Sequence, residues 1–261
     1  MSTPAADDLA CDLLLFYATG SEEKAIKEAV ARRPRLTFGK KKHPLVGEFR
    51  VIGTVGTFRV VAVRTEMGPL GFGGSAAKGI YFKATSGATA IVQVGMAFGV
   101  DPARQTIGDV LVSSSVIPYD RRDVIGQPDG GYVVDYSPAR PEPARPSIVH
   151  LFREAGTKPG LPFRVHVGAI LSGGAAISSA RFRDELVGSI PPTDEPIVGG
   201  EMEGVGLVAV SNPDDPAWVV VKGISDFADD KRADTLKTHR PIACGNSVEF
   251  VLGALESATA L

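Results

Sequence analysis

The sequence predicts an α/β fold: a single domain with a mixed, twisted β-sheet flanked by helices. Short β-rich apolar runs alternate with amphipathic or small-residue stretches, as strands buried under helices on both faces require. Two of these runs, 49–55 and 58–65, are joined only by Gly56 and Thr57, the spacing of a hairpin, so the sheet is mixed rather than wholly parallel. The 261 residues are 44% hydrophobic, 22% charged and 7% aromatic, a globular composition that excludes disordered and fibrous chains.

The elements follow in order. The apolar run Leu13-Leu14-Leu15-Phe16-Tyr17 predicts a first strand from Asp12 to Ala18, and a helix from Glu22 to Arg32 follows Gly20-Ser21. The basic run Lys40-Lys41-Lys42-His43 reads as a solvated turn before the hairpin strands Phe49 to Val55 and Phe58 to Thr65. A helix from Ser75 to Thr85 leads to strands at Ala90 to Val94 and Val110 to Ser115. From Ile117 to Pro162 the chain is rich in Pro, Gly and charge, with Pro138, Pro141, Pro143 and Pro146 close together. It reads as a long excursion with one short helix at Ile148 to Glu154, either a lid or partner contact or a solvated linker. Beyond it come a strand at Arg164 to Leu171, helices at Ser178 to Val187 and Gly204 to Ser211, a nearly continuous apolar strand at Trp218 to Ile224, and a closing helix at Ala243 to Ala258. No internal repeat is visible, and the domain is expected to run over 1–261.

Charge and cysteine content narrow the function. With 28 Lys and Arg against 30 Asp and Glu, the net charge of −2 draws the chain toward neither nucleic acid nor membrane. Cys11 and Cys244 form no CxxC pair or Cys/His cluster, so neither a metal nor another cofactor is expected. The start Ala5-Ala6-Asp7-Asp8 is acidic where a secretory signal is basic, and the run 13–17 is too short to span a bilayer, so the expected location is the cytoplasm.

Gly71-Phe72-Gly73-Gly74-Ser75-Ala76 superficially matches a phosphate-cradling turn, but no carboxylate for a ribose hydroxyl ends the next strand, Gln93-Val94-Gly95, and no Gly-Lys-Ser/Thr follows. Two later segments say more. In Gly200-Glu201-Met202-Glu203-Gly204 two carboxylates flank a methionine where a short strand gives way to a helix. The strand from Trp218 ends in Ser225-Asp226, at the edge where α/β sheets hold ligands. Either acid could instead be a helix cap or a first-turn acid.

Taken in order, Glu201-Met202-Glu203-Gly204 and then Val221-Lys222-Gly223-Ile224-Ser225-Asp226-Phe227-Ala228-Asp229 resemble the nucleoside phosphorylase and nucleosidase superfamily, most of all 5′-methylthioadenosine/S-adenosylhomocysteine nucleosidases. The resemblance extends through Ile91 to Pro102, Ile107 to Val112, Ile170 to Ala175, and the first strand with Ser21-Glu22-Glu23, leaving 32–47 and the excursion unmatched. It implies a nucleoside phosphorylase-like fold and a purine nucleosidase of the methylthioadenosine or adenosylhomocysteine type. A homo-oligomer, most simply a dimer, is also expected.

Cleaving an N-ribosidic bond passes through an oxocarbenium-like cation, so the site needs a proton donor for the departing purine and groups that hold the sugar. The resemblance gives Asp226 the role of acid at purine N7, Glu203 the ribose hydroxyls, Met202 packing on the sugar and Ser225 orientation of Asp226. Glu22 aligns best with the water-activating base, with Glu23 one residue away. Superfamily phosphorylases place Arg and Ser near the turn after the central strand. Here Gln93 and Met96 stand there, beside Gly95, and a thioether cannot donate to phosphate. Lys24 and Arg64 keep a phosphorylase open as the alternative, and a non-catalytic nucleoside-binding sensor or effector module is a second. The nucleosidases' base-stacking aromatic is missing from Ser172-Gly173-Gly174-Ala175-Ala176-Ile177, so Phe227, Phe163 or Tyr119 would have to supply a ring, with the Ile177 backbone at the purine edge.

Overall fold

Five residues without polar atoms beyond one phenol, all buried, make β1 (Leu13–Tyr17) the interior strand that its composition demands. The computed structural model describes residues 8–212 and 215–259; Ala5, Ala6 and Asp7 of the acidic start lie outside them. After β1 come α1 (Gly20–Ala31), β2 (Gly39–His43), β3 (Gly47–Val55), β4 (Phe58–Arg64), α2 (Ser75–Ser86), β5 (Ala90–Gly99) and β6 (Val110–Pro118). The excursion holds β7 (Asp123–Gly126), β8 (Tyr132–Asp135), β9 (Glu142–Pro143) and α3 (Pro146–Gly156). Then follow β10 (Val165–Ser172), α4 (Ala180–Ser189), β11 (Ile197–Glu201), α5 (Gly204–Leu207), β12 (Trp218–Asp226) and α6 (Arg232–Glu256).

The main sheet runs β11-β10-β6-β12-β5-β1-β4-β3-β2, with β9 added beside β6. It is mixed, as expected: β12 runs parallel to β5 and antiparallel to β6, and β3 and β4 form the antiparallel hairpin. One end closes on itself. Gly199 and Gly200 of β11 pair antiparallel with Gly99 and Phe98 of β5, joining five strands into a ring. Only glycine permits this approach: a Cβ on Gly199 would stand 2.5 Å from the Phe98 carbonyl oxygen, and one on Gly200 2.1 Å from the Phe98 ring.

The helices divide between the faces. On β12, Val220 lies against Gly204 of α5, whereas Gly223 lies against the Ala243 carbonyl of α6, so adjacent parities of one strand face different helices. The α1 and α6 helices pack together, as do α2 and α5. No helix among the described residues is long and apolar enough to cross a membrane.

Several expectations are corrected. Lys40–His43 is strand β2, not a turn: it pairs with β3 at the sheet edge, where solvated lysines such as Lys40, ion-paired to Glu48 at 2.6 Å, discourage edge-to-edge association. The central strands extend further than their apolar runs, β5 to Gly99 and β12 to Asp226, because their last residues turn toward a cavity. The closing helix begins at Arg232, with Pro241 inside it. A proline normally marks a helix boundary, which is why the reading from sequence stopped short. The excursion carries a separate two-stranded hairpin, β7 with β8.

Candidate active site

A cavity of about 300 Å³ opens at the carboxyl ends of β5, β11 and β12. Glu22 reaches it from the first turn of α1. There Thr19 and Glu22 form a reciprocal capping box: Thr19 Oγ1 accepts from the Glu22 amide at 3.3 Å, and Glu22 Oε2 accepts from the Thr19 and Ala18 amides at 2.8 and 2.7 Å. Glu22 Oε1 accepts from the Met96 amide at 3.2 Å, tying the helix end to β5. Burial pushes the Glu22 carboxyl above its usual range; Lys222 opposes this and the charge of Glu203 adds to it. Glu23 points elsewhere, to Arg50 and Arg64 at 3.0 and 3.3 Å, so the two neighbouring glutamates are separated.

Glu203 enters at the start of α5. Its Oε2 lies 2.9 Å from Nζ of Lys222, a lysine with no exposed surface, and its Oε1 accepts from the Gly68 amide at 3.3 Å. Burial alone would raise the Glu203 carboxyl, but the Lys222 ammonium outweighs it and holds Glu203 below the usual carboxylate range. Glu203 stands at the N-cap position of α5 but its side chain makes no capping bond; the Glu201 carboxylate does so instead, accepting from the Glu203 and Gly204 amides at 2.9 Å, and sits 3.6 Å from Lys222. Burial pushes Glu201 up, against the attraction of Lys222. Lys222 is thereby held charged well above its ordinary value, its burial overcome by Glu203, Glu22 and Glu201.

Asp226 closes β12. Its Oδ2 accepts from the Ser225 hydroxyl at 2.8 Å and its Oδ1 from the Ala228 amide at 2.9 Å, while Arg232 Nε lies 3.4 Å from Oδ1. Ala228 has φ +53, a left-handed conformation that alanine adopts only when its surroundings impose it, and here it turns an N–H back onto the acid.

Glu22, Glu203, Asp226, Met202, Ser225, Ile177 and Met96 all line the one cavity. Gly95 does not line it but makes room for Glu22. Phe227 does not line the cavity; its ring lies beside Gly99. Phe163 instead packs edge-on against Phe250, and buried Tyr119 hydrogen-bonds through its hydroxyl with the Ala175 backbone. The ring that does line the cavity is Phe98. Gln93 is buried in β5 with its amide unpartnered among the described residues, Lys24 is exposed beside Glu28, and Arg64 lines a neighbouring groove. Sequence reasoning assigned no role to Glu201, Lys222, Met67, Arg232 or Arg240, which also bear on the site. A lysine within an otherwise apolar strand was the available signal for Lys222.

The family model for the Phosphorylase superfamily matches residues 12–256. Over 187 residues the chain is 27% identical to the Death domain-containing ATP nucleosidase of Amphimedon queenslandica, covering 64% of this chain but only 33% of that protein. It therefore spans about a third of that relative's length. Over 167 residues it is 28% identical to the 5′-methylthioadenosine/S-adenosylhomocysteine nucleosidase of Actinobacillus succinogenes, covering 63% of this chain and 68% of that one. In fold it is similar to the nucleosidase of the same description from Neisseria meningitidis, solved in complex with methylthio-immucillin-A, with a TM-score of 0.72, 16% identity, and 94% and 99% of the two chains covered.

Proposed function

The chain belongs to the phosphorylase superfamily, and from that premise we propose that it is a purine nucleosidase, hydrolysing the N-ribosidic bond of an adenine nucleoside to free base and sugar. The methylthioadenosine or adenosylhomocysteine type is the substrate that the likeness to nucleosidases favours. The observation that carries the reading is the pairing of two buried acids with different surroundings at one cavity. Glu203 is held ionised by Lys222, whereas Asp226 is oriented by a hydroxyl and a backbone amide.

In this reading the ionised Glu203 accepts the ribose hydroxyls, and Met67, Met96 and Met202, three of the chain's four methionines, give the sugar a polarisable apolar wall. As the C1′–N9 bond breaks, its electron pair leaves with the purine, and Asp226 delivers a proton to N7. Water adds to C1′ and gives its proton to Glu22, whose raised affinity for protons suits a base. Water rather than phosphate is favoured because the Met96 thioether stands at the wall beside Glu22, while Arg64 and Lys24 are engaged with Glu23 and Glu28 outside the cavity.

The same reading places the protein in the cytoplasm as a homodimer, with the excursion available for partner contact. A monomer mass by light scattering at micromolar concentration would refute the dimer. The activity is tested by chromatographic detection of free base from a panel of nucleosides, with and without phosphate. Adenine released without phosphate is expected; turnover only when phosphate is added would identify a phosphorylase instead, and no base from any nucleoside would leave the binding module.

A further inference from the structure

Arg183 lies on α4 and does not line the cavity, yet only 7% of it is exposed. Its guanidinium is divided between two partners. Nε and Nη2 reach Oδ1 of the neighbouring Asp184 at 2.8 and 2.7 Å, and Nη1 donates to the Phe227 carbonyl oxygen at 2.5 Å. Asp184 is mostly exposed, whereas Phe227 is the residue directly after the acid Asp226.

The carbonyl that Arg183 holds belongs to the peptide between Phe227 and Ala228, and the N–H of that same peptide is the one donated to Asp226 Oδ1 at 2.9 Å. In a trans peptide the two groups point in opposite directions. Arg183 thus grips one end of the unit and Asp226 the other. Turning the peptide over would withdraw the N–H from Asp226 and bring a carbonyl oxygen toward its carboxylate. The conformation also has to be held, because Ala228 is the one non-glycine with a positive φ among the described residues. At φ +53 its Cβ crowds the following carbonyl, and such strain persists only where neighbouring groups over-determine it. Ala228 is fully buried, the Phe227 ring is packed beside Gly99, and a hydrogen bond from a guanidinium is stronger than one between neutral groups.

We propose that Arg183 is a positioning residue for Asp226: by gripping the Phe227 carbonyl it keeps the Ala228 N–H aimed at the carboxylate and so fixes the direction in which the acid faces the purine. The Ser225 hydroxyl fixes the other oxygen, Oδ2. The proposal rests on the nucleosidase reading, in which Asp226 delivers the proton. Because Arg183 stands outside the cavity lining, its loss acts on proton delivery and not on the contacts that bind the nucleoside.

The test compares Arg183→Met, Arg183→Lys and the double variant Arg183→Met with Ala228→Gly against the unsubstituted protein, by steady-state release of base from 5′-methylthioadenosine and by hydrogen exchange of the Ala228 amide. In Arg183→Met, kcat should fall about 10-fold or more, a part of the 10²–10⁴-fold that a general acid supplies, with KM little changed. The Ala228 amide should exchange about 10-fold or more faster, as expected when a hydrogen bond to a charged group is lost. Arg183→Lys keeps one charged donor and should recover part of kcat. Glycine adopts the left-handed conformation unaided, so adding Ala228→Gly to Arg183→Met should also recover part of kcat although no contact of the guanidinium returns. An arginine that merely holds α4 in place would lower kcat without that rescue. That result, or unchanged kcat and exchange in Arg183→Met, would overturn the proposal. If Arg183→Met does not fold, Arg183→Lys takes its place, and a smaller loss of kcat relieved by Ala228→Gly is then expected. If the unsubstituted protein releases no base, the nucleosidase reading fails alone, and the exchange rate of the Ala228 amide still decides whether Arg183 anchors the turn at Asp226.

Discussion

The carboxylate of Glu22 occupies the space that a side chain at position 95 would fill: a Cβ on Gly95 would lie 1.9 Å from Glu22 Oε1. Gly95 also has φ +140, a conformation closed to other residues. The glycine in the middle of β5 and the glutamate of the α1 capping box are thus fitted to each other, and the Met96 amide that Glu22 accepts from follows directly after that glycine.

Gly95→Ala should therefore displace Glu22 from the cavity. Release of base is expected to fall by about 10²-fold or more, as for loss of a positioned general base. The strained backbone should cost about 1–3 kcal/mol of stability. A steady-state assay alongside a thermal melt checks both; wild-type kcat in a folded Gly95→Ala protein would show that Glu22 is not needed there.

Lys222 is the electrostatic centre of the site, and its removal should be felt as instability before it is felt as lost activity. Lys222→Met leaves Glu203 and Glu201 buried without their cation, which should cost about 3–5 kcal/mol. Glutamates so exposed to their own repulsion would take up protons, so the variant should regain part of its stability as pH falls. Urea melts at two pH values measure this, and a variant that melts like the wild type at both would show that the buried ion pairs carry no net stability.

How much of this was legible beforehand can be judged from particular residues. The strand cores were visible because continuous apolar runs such as 13–17 and 218–221 leave few alternatives, and Glu203 and Asp226 were visible because acids at strand ends stand out against such runs. Glu22 could not be separated from Glu23 in sequence, since both occupy a first helical turn; the separation is made by Gly95 and Met96, far away in the chain. Phe227, Phe163 and Tyr119 were the rings the sequence offered, but none of them lines the cavity; Phe98 does, from an apolar strand in which nothing sets it apart. The place of Arg240 in the cavity lining was hidden behind Pro241, which reads as a helix boundary although α6 continues through it.

The acid limb of the pH profile should report Glu22. Burial raises its proton affinity, with Lys222 opposing and Glu203 adding to the rise. A base works only when deprotonated, so activity should be lost as pH falls through a value above the ordinary glutamate range of about 4.3. Glu203 is shifted the other way and stays ionised below that point, so it does not set the limb. A plot of kcat/KM against pH tests the sign. An acid limb at or below the ordinary glutamate value would show that Glu22 is not the base.

Asp226→Asn and Glu203→Gln should both abolish useful turnover while failing differently. In Asp226→Asn the amide can still donate to N7 but cannot transfer a proton, so binding should survive while the chemical step slows about 10²–10⁴-fold. Its stability should change little, because the amide oxygen can keep the Ala228 N–H or the Ser225 hydroxyl as a partner. Glu203→Gln loses a charged acceptor for the ribose hydroxyls, which costs about 1.5–3 kcal/mol in binding. It also strips Lys222 of its nearest anion, so this variant, unlike the first, should melt well below the wild type. Nucleoside affinity should accordingly fall more in Glu203→Gln than in Asp226→Asn, and the two can be ranked by calorimetry and by melting temperature on the same preparations. If Asp226→Asn retains more than about a tenth of wild-type turnover, outside the range for loss of a general acid, then Asp226 serves the turn at Ala228 and the proton comes from elsewhere.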